Sequence, residues 1–162
     1  MSDLFVEILG KPHGFIVFQL LAACRFTIYL SLIAFVGGGA IACLITLLRI
    51  SKIPSLQGFA TTFIWVFQSI PLLMLLFLIG LGMPRLLDVN VDPWTAATIA
   101  LVLFTAAYLA EVWRGAIESV ARGQWEASYA LNIRYSLLLR DVILPQAIKF
   151  GVAPTVGFMV QI

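Results

Sequence analysis

The sequence has 162 residues, 62% of them hydrophobic and 11% charged, with a net charge of +2. A soluble domain carries roughly 25% charged residues, so this composition excludes an ordinary water-soluble core and indicates a membrane protein. The net charge is too small to draw nucleic acid. The useful signal is which end of each apolar run collects Lys and Arg.

Near the N-terminus, Leu21-Ala22-Ala23-Cys24 imitates a lipoprotein cleavage box. Asp3 and Glu7 stand where a signal peptide is positively charged, and the chain is apolar again from Phe26 to Leu48, so cleavage is not expected. Cys24 and Cys43 would lie about 28 Å apart on one helix at 1.5 Å per residue, too far to pair. They are expected to be small buried hydrophobes. The single histidine, His13, has no Cys, Asp or Glu at ligand spacing, so neither a metal site nor a catalytic residue is expected.

Phe26 to Leu48 is long enough for a first span, since about 20 apolar residues cross a core of roughly 30 Å. Arg25 can reach one interface, and Arg49 with Lys52 the other. Ala34, Gly38 and Ala42 recur every fourth residue beside Gly37 and Gly39, a pattern that lets another helix approach closely. Packing within the chain explains this stripe better than a dimer seam does.

No residue from Ile53 to Pro84 is charged, and Gly58 to Gly82 reads as a second span. Gln68, Ser69 and Pro71 interrupt it, and the proline should bend the helix and free a backbone carbonyl. Either a polar-lined path or a simple packing kink would account for the bend. Met83 to Pro93 reads as a loop, Trp94 as an interfacial anchor, and Thr95 to Ala110 as the third span. Glu111, Arg114, Glu118 and Arg122 then follow in one helical stripe, expected as a solvated face with i,i+4 pairs and ended by Gly123.

From Arg122 to Pro145 polar residues recur between apolar blocks. A short helix is expected over Gln124 to Leu131, with Glu126 near its N-terminus, where the dipole favours an acid. Asn132 should close that helix in the left-handed conformation. Ser136 is read as the cap of a second helix, Leu137 to Val142, before Pro145 redirects the chain. A fourth helix then starts, uncharged from Phe150 on. Its thirteen residues to Ile162 would be too few to span, so the chain is expected to stop inside it.

Arg49, Lys52, Arg114, Arg122, Arg134, Arg140 and Lys149 all lie beside the ends of spans one and three. The opposite side has Lys11, Arg25 and Arg85 together with Asp3, Glu7, Asp88 and Asp92. The positive-inside bias therefore puts the N-terminus outside and the Arg122–Pro145 insert in the cytoplasm.

The insert reads E-A-S-x3-N-x9-V-x-L-P from Glu126 to Pro145. It resembles the E-A-A-x3-G-x9-I-x-L-P loop of ABC importer permeases. The flanking A-Y-L-A-E-V-W-R-G-A-I-E-S at Ala107–Ser119, G-Q-W-E-A at Gly123–Ala127 and V-I-L-P-Q-A at Val142–Ala147 resemble permeases of the polar amino acid uptake family, as does S-I-P-L-L at Ser69–Leu73. The departures are Ser128 for Ala, Asn132 for Gly, Val142 for Ile, and Q-S-I-P where many members have R-G-T-P, which weakens any inference about substrate.

The resemblance implies an all-α polytopic membrane protein with the fold of a type I ABC importer transmembrane domain, truncated within its fourth helix. It implies a permease subunit of an amino acid importer in the cell inner membrane, paired with a second permease subunit, identical or similar. A cytoplasmic ABC ATPase dimer would bind ATP and Mg, and an extracytoplasmic amino-acid-binding protein would deliver substrate. Membrane lipid is the remaining partner, and nucleic acid is none. In this reading Gly123, Glu126, Ala127, Ser128, Asn132, Leu144 and Pro145 form the coupling surface for the ATPase. The chain lacks a G-x-x-x-x-G-K-[ST] phosphate loop, Gly10-Lys11 being followed by Pro12, so this subunit is expected to be non-catalytic with hydrolysis on another polypeptide.

Gln68, Ser69, Thr105 and Tyr108 are polar groups inside apolar spans and are the candidates for lining a substrate path. Ser and Thr can equally bond back to their own helix, and Tyr108 can sit at the interface. A non-ABC membrane carrier or a membrane scaffold is the alternative. A proton-coupled carrier would want ionisable groups near the midplane, and an intramembrane enzyme a nucleophile–base pair or metal cluster. None is evident in these spans.

Overall fold

A computed structural model describes residues 13–162, with side chains from Phe15 onward. Asp3, Glu7, Lys11, the Gly10–Pro12 stretch and the side chain of His13 lie outside the described residues.

The described residues are helical, with no strands. Helix α1, His13–Arg49, has 37 residues, about 55 Å at 1.5 Å per residue and longer than a crossing of roughly 30 Å requires. It runs without a break through Arg25, whose guanidinium lies 4.7 Å from the centroid of the Phe26 ring. Phe26 in turn meets Trp94 edge-on at 5.6 Å, so the anchoring residues of two spans share one level. Cys24 and Cys43 are unpaired but exposed, which corrects the expectation of burial. Both lie on the apolar outer surface of α1, together with Val36 and Leu44.

The small-residue stripe does what its spacing predicts. Ala34, Gly38 and Ala42 are buried, and α1 makes its most extensive contact with the helix that begins at Pro93 and carries Trp94. A Cβ on Gly38 would lie 2.5 Å from Thr105 Cβ and 3.0 Å from the Val102 carbonyl.

Helix α2, Pro54–Ser69, ends where Ile70 is extended at φ −98° and ψ 120°. The residue before a proline is driven out of the helical region, and Pro71 keeps a ψ of 139°. The break is sharp: α2 meets the following segment, Leu72–Leu87, at 98°. That segment comprises α3 (Leu72–Phe77), a π-helical turn (Leu78–Gly82) and α4 (Met83–Leu87). Met83–Leu87 is therefore helical, and the loop is confined to residues 88–92. Asp88 closes α4 with a φ of 52°.

Helix α5, Pro93–Glu118, is the hub of the fold and packs against α1, α2, α3 and the last helix. Asp92 caps it by accepting the Thr95 amide at 3.0 Å and the Thr95 hydroxyl. Those two bonds, led by the hydroxyl, hold the Asp92 carboxyl below its ordinary range. Ser119 follows the end of α5, so Gly123 does not terminate it; Gly123 is the second residue of α6, Arg122–Ala130.

After α6 come α7 (Tyr135–Leu137), a second π-helical turn (Leu138–Ile143) and α8 (Leu144–Gln161). Together they form one tract, Tyr135–Gln161, of 27 residues, apolar and long enough to cross a membrane. This corrects two expectations. Ser136 lies inside the tract and the N-cap is Arg134, with no side-chain cap bond. Pro145 does not redirect the chain.

One device explains both the persistence of this tract and the helicity of Met83–Leu87. A proline clashes with the carbonyl four residues back and lacks an N–H to bond it. Just before Pro84 the Met83 amide bonds to Leu78 O, and just before Pro145 the Leu144 amide bonds to Leu139 O. Each is an i→i−5 turn, which widens the ladder where the proline enters.

Three helices, α1, α5 and the Tyr135–Gln161 tract, are long and apolar enough to cross a membrane, and the bent α2–α4 pair makes a fourth if counted as one span.

Candidate functional site

The coupling insert is anchored from within. Ile117, Val120, Leu138, Ile143 and Ala147 form a buried cluster joining the end of α5 to the last tract, and Trp125 of α6 packs against it. Leu138 and Ile143 are fully buried, which contributes about 1.5–3 kcal/mol each. Tyr135 adds a tie to the end of α1, its hydroxyl donating to the Ile50 carbonyl at 2.8 Å. That carbonyl belongs to the set a helix end leaves without intrahelical partners. The Lys52 ammonium lies 4.5 Å from the centre of the same ring.

Asn132 has the expected left-handed backbone, with φ 53°. It closes α6 in a Schellman turn: the Ile133 amide donates to Ser128 O at 3.0 Å and the Asn132 amide to Tyr129 O at 2.9 Å.

The proposed docking triplet divides. Glu126 and Ala127 are exposed, whereas Ser128 is buried and its hydroxyl donates to Gln124 O at 2.7 Å. Ser128 is therefore a packing residue and does not belong to the outer surface. Because α6 starts at Arg122, Glu126 sits beyond its first turn and gains little from the helix dipole, contrary to expectation. Gly123 and Pro145 are exposed, and Leu144 packs against the anchor cluster. The outer surface beside Glu126 also carries Tyr129 and Leu131, 55% and 74% exposed, which the sequence reading did not single out.

The four path candidates are not gathered into one site. Ser69 donates to Trp65 O of its own helix at 2.6 Å. Thr105 is fully buried in the α1–α5 seam against Gly38, and its hydroxyl has no partner among the described residues. Tyr108 stacks on Phe158 of α8, with ring centroids 5.6 Å apart. Gln68 alone reaches a polar pocket, with its Nε2 donating to Ala107 O at 3.4 Å.

That pocket, of about 170 Å³, also takes Arg49, Thr61, Trp65, Glu111 and Arg114. The predicted charge stripe supplies one wall. Arg114 forms a two-bond pair with Glu111 and reaches Glu118 at 2.5 Å, but Arg122 lies on the next helix. The expected i,i+4 pair is Arg114–Glu118, and the two acids keep the face solvated, Glu118 at 64% exposure, while the Arg114 side chain is 21% exposed and turned towards the pocket. A larger apolar groove of about 510 Å³ lies between α1, α5 and α8, where Trp113 donates to Thr155 Oγ1 at 3.0 Å.

Residues 35–160 match the family described as the binding-protein-dependent transport system inner membrane component. The chain belongs to that family. This inner membrane component is 34% identical over 137 residues to the probable amino-acid ABC transporter permease protein YckA of Bacillus subtilis (strain 168), covering 85% of this chain and 60% of the relative. It is 36% identical over 129 residues to the L-cystine transport system permease protein TcyB of the same organism, covering 80% and 55%. Among solved structures, it resembles an amino acid ABC transporter crystallised with histidines, with a TM-score of 0.83 and 30% identity over 91% of this chain and 69% of the other. The inward-facing MetNI methionine ABC transporter shares the fold, with a TM-score of 0.64 at 21% identity. The chain thus spans about 60% of the length of the first of these curated relatives.

Proposed function

We propose that this protein is a permease subunit of an ATP-driven amino acid importer, and that α6 couples it to a cytoplasmic ATPase. The observation that carries this reading is the construction of α6. An exposed surface around Glu126 and Ala127 is held at one angle by the Asn132 turn and backed by a buried cluster reaching α5, α8 and the end of α1. A partner pressing on that surface moves three helix ends together. A helix held only by its flanking loops would absorb the push.

The subunit is non-catalytic. The ATPase dimer carries ATP and Mg, a second permease subunit completes the path, and an extracytoplasmic binding protein delivers the substrate. The N-terminus lies outside and α6 in the cytoplasm, which the distribution of Lys and Arg supports. The relatives named for L-cystine, glutamine and arginine transport support an amino acid as the cargo.

The test is Glu126→Lys in the complete transporter, with its ATPase and binding protein in proteoliposomes. Uptake of labelled amino acids is expected to be abolished while membrane insertion stays normal. Uptake at the original rate would remove Glu126 from the coupling surface.

A further inference from the structure

The seam between α5 and α8 is regular along most of its length. Ile143, Ala147, Gly151 and Thr155 recur every fourth residue in the last tract, and Trp113, Ile117 and Val120 follow at steps of four and three on α5, so each set lies on one helix face. At the α6 end the seam is apolar, formed by Ile117, Val120, Ile143 and Ala147 of the anchor cluster. At Gly151 the two helices cross closely: a Cβ there would lie 3.3 Å from Ala116 Cβ and 4.0 Å from Trp113 Cδ1. At the far end Phe158 stacks on Tyr108, and on Phe104 with centroids 6.5 Å apart.

Between these two apolar ends stands one polar tie. Among the described residues, the Trp113–Thr155 bond is the one side-chain hydrogen bond joining α5 to α8. The Thr155 hydroxyl accepts from the indole N–H at 3.0 Å and donates in turn to the Gly151 carbonyl of its own helix at 2.6 Å. A hydroxyl can do both at once, and an indole N–H in apolar surroundings needs such a partner. The place of this relay gives it a use. Pro154 stands inside α8, where it offers no N–H to the Phe150 carbonyl and its ring crowds that carbonyl. A proline is where a helix bends, and among the long helices α8 packs mainly against α5. The relay bridges the proline: Gly151 lies before it, Thr155 after it, and Trp113 fixes both to α5.

We infer that Trp113 is a positioning residue for transport: it clamps the proline joint of α8, so that a displacement arriving from α6 is passed to the half of the helix beyond Pro154. The inference rests on the importer reading and deepens it. A push on α6 reaches Ala147 through the anchor cluster, and Ala147 lies about 12 Å before Thr155 at 1.5 Å per residue. With the clamp closed, α8 moves as one rod and carries Phe158 across Tyr108. With the clamp open, the joint absorbs the movement, and ATP is hydrolysed without shifting the far end. Trp113 does this through Thr155 and touches neither ATP nor cargo.

Amino acid uptake per ATP hydrolysed reads the clamp, measured in the complete transporter with its ATPase and binding protein in proteoliposomes, because damage to the fold alone lowers the two rates together. Trp113→Phe keeps a ring and loses the N–H, and should lower this ratio roughly fivefold, the weight of one neutral hydrogen bond. Thr155→Val should lower it equally, the double variant no further, and Thr155→Ser should keep it. Pro154→Ala restores the missing N–H and should recover the ratio in the Trp113→Phe background. An unchanged ratio in Trp113→Phe or Thr155→Val, losses that multiply in the double variant, or no recovery by Pro154→Ala, in a system that still imports, overturns the clamp and leaves the importer reading standing. Absence of uptake of any amino acid by the unaltered, assembled system overturns both.

Discussion

The Asn132 turn sets the angle of α6, so substitutions there separate backbone geometry from side-chain chemistry. A φ of 53° costs an ordinary L-residue roughly 1–2 kcal/mol, is eased for Asn, and costs Gly nothing. A β-branched residue sits at or above the top of that range. The turn itself is closed by two amide bonds, from Ile133 to Ser128 O and from Asn132 to Tyr129 O, each contributing about 1 kcal/mol net. The penalty for Val is therefore comparable with everything the turn gains locally, and opening should become roughly tenfold more frequent or worse, since 1.4 kcal/mol is a factor of ten. Hydrogen exchange at the Ile133 amide reads this opening, and amino acid uptake reads its consequence. Asn132→Gly should keep both at the level of the unaltered protein, Asn132→Ala should be intermediate, and Asn132→Val should lose protection and most uptake. Equal losses for Gly and Val would mean that the amide side chain, not the left-handed backbone, does the work, and the reasoning fails.

Three further outcomes follow from the packing. Gly38→Val should lower the melting temperature in detergent, because the new Cβ would lie 2.5 Å from Thr105 Cβ and overpacking costs about 1–3 kcal/mol; Thr105→Ala should rescue it only partly, since the Cβ remains. Tyr135→Phe should destabilise by about 1 kcal/mol in thermal unfolding, through loss of the bond to the Ile50 carbonyl, and unchanged stability would show that water satisfies that carbonyl. The Asp92 carboxyl lies below its usual range in the folded state, so its contribution is present above the ordinary carboxylate pKa and fades as pH falls through the lowered folded value. Melting of the unaltered protein should therefore fall more on acidification than that of Asp92→Ala, and parallel curves would contradict the cap.

The sequence made local geometry legible where one residue type has one physical use. The Ala34–Gly38–Ala42 stripe predicted a close helix contact, which α5 fills. Asn132 predicted a positive φ, which it has. Pro71 predicted a bend, though not one of 98°. Pro145 misled, because reading proline as a corner overlooks the π-turn that lets a helix absorb it, as another such turn does at Pro84. That is why Tyr135–Gln161 emerged as one long tract and not as a short helix and a corner before a new one. Ser128 was placed on the outer surface by its neighbourhood in the motif, yet helical phase turns it inward. The pocket was not legible at all. It brings Arg49 to Glu111 across the fold, and no spacing rule relates residues on three different helices.

Chemical cross-linking tests the central claim, that the exposed surface of α6 is where an ATPase takes hold. With Cys24 and Cys43 replaced by serine, single cysteines would be placed at exposed Ala127 and at buried Ser128 in the assembled transporter. The account predicts a short cross-link from Ala127→Cys to the ATPase, sensitive to ATP, and little from Ser128→Cys. Failure of Ala127→Cys to reach the ATPase in a complex that still transports would contradict it.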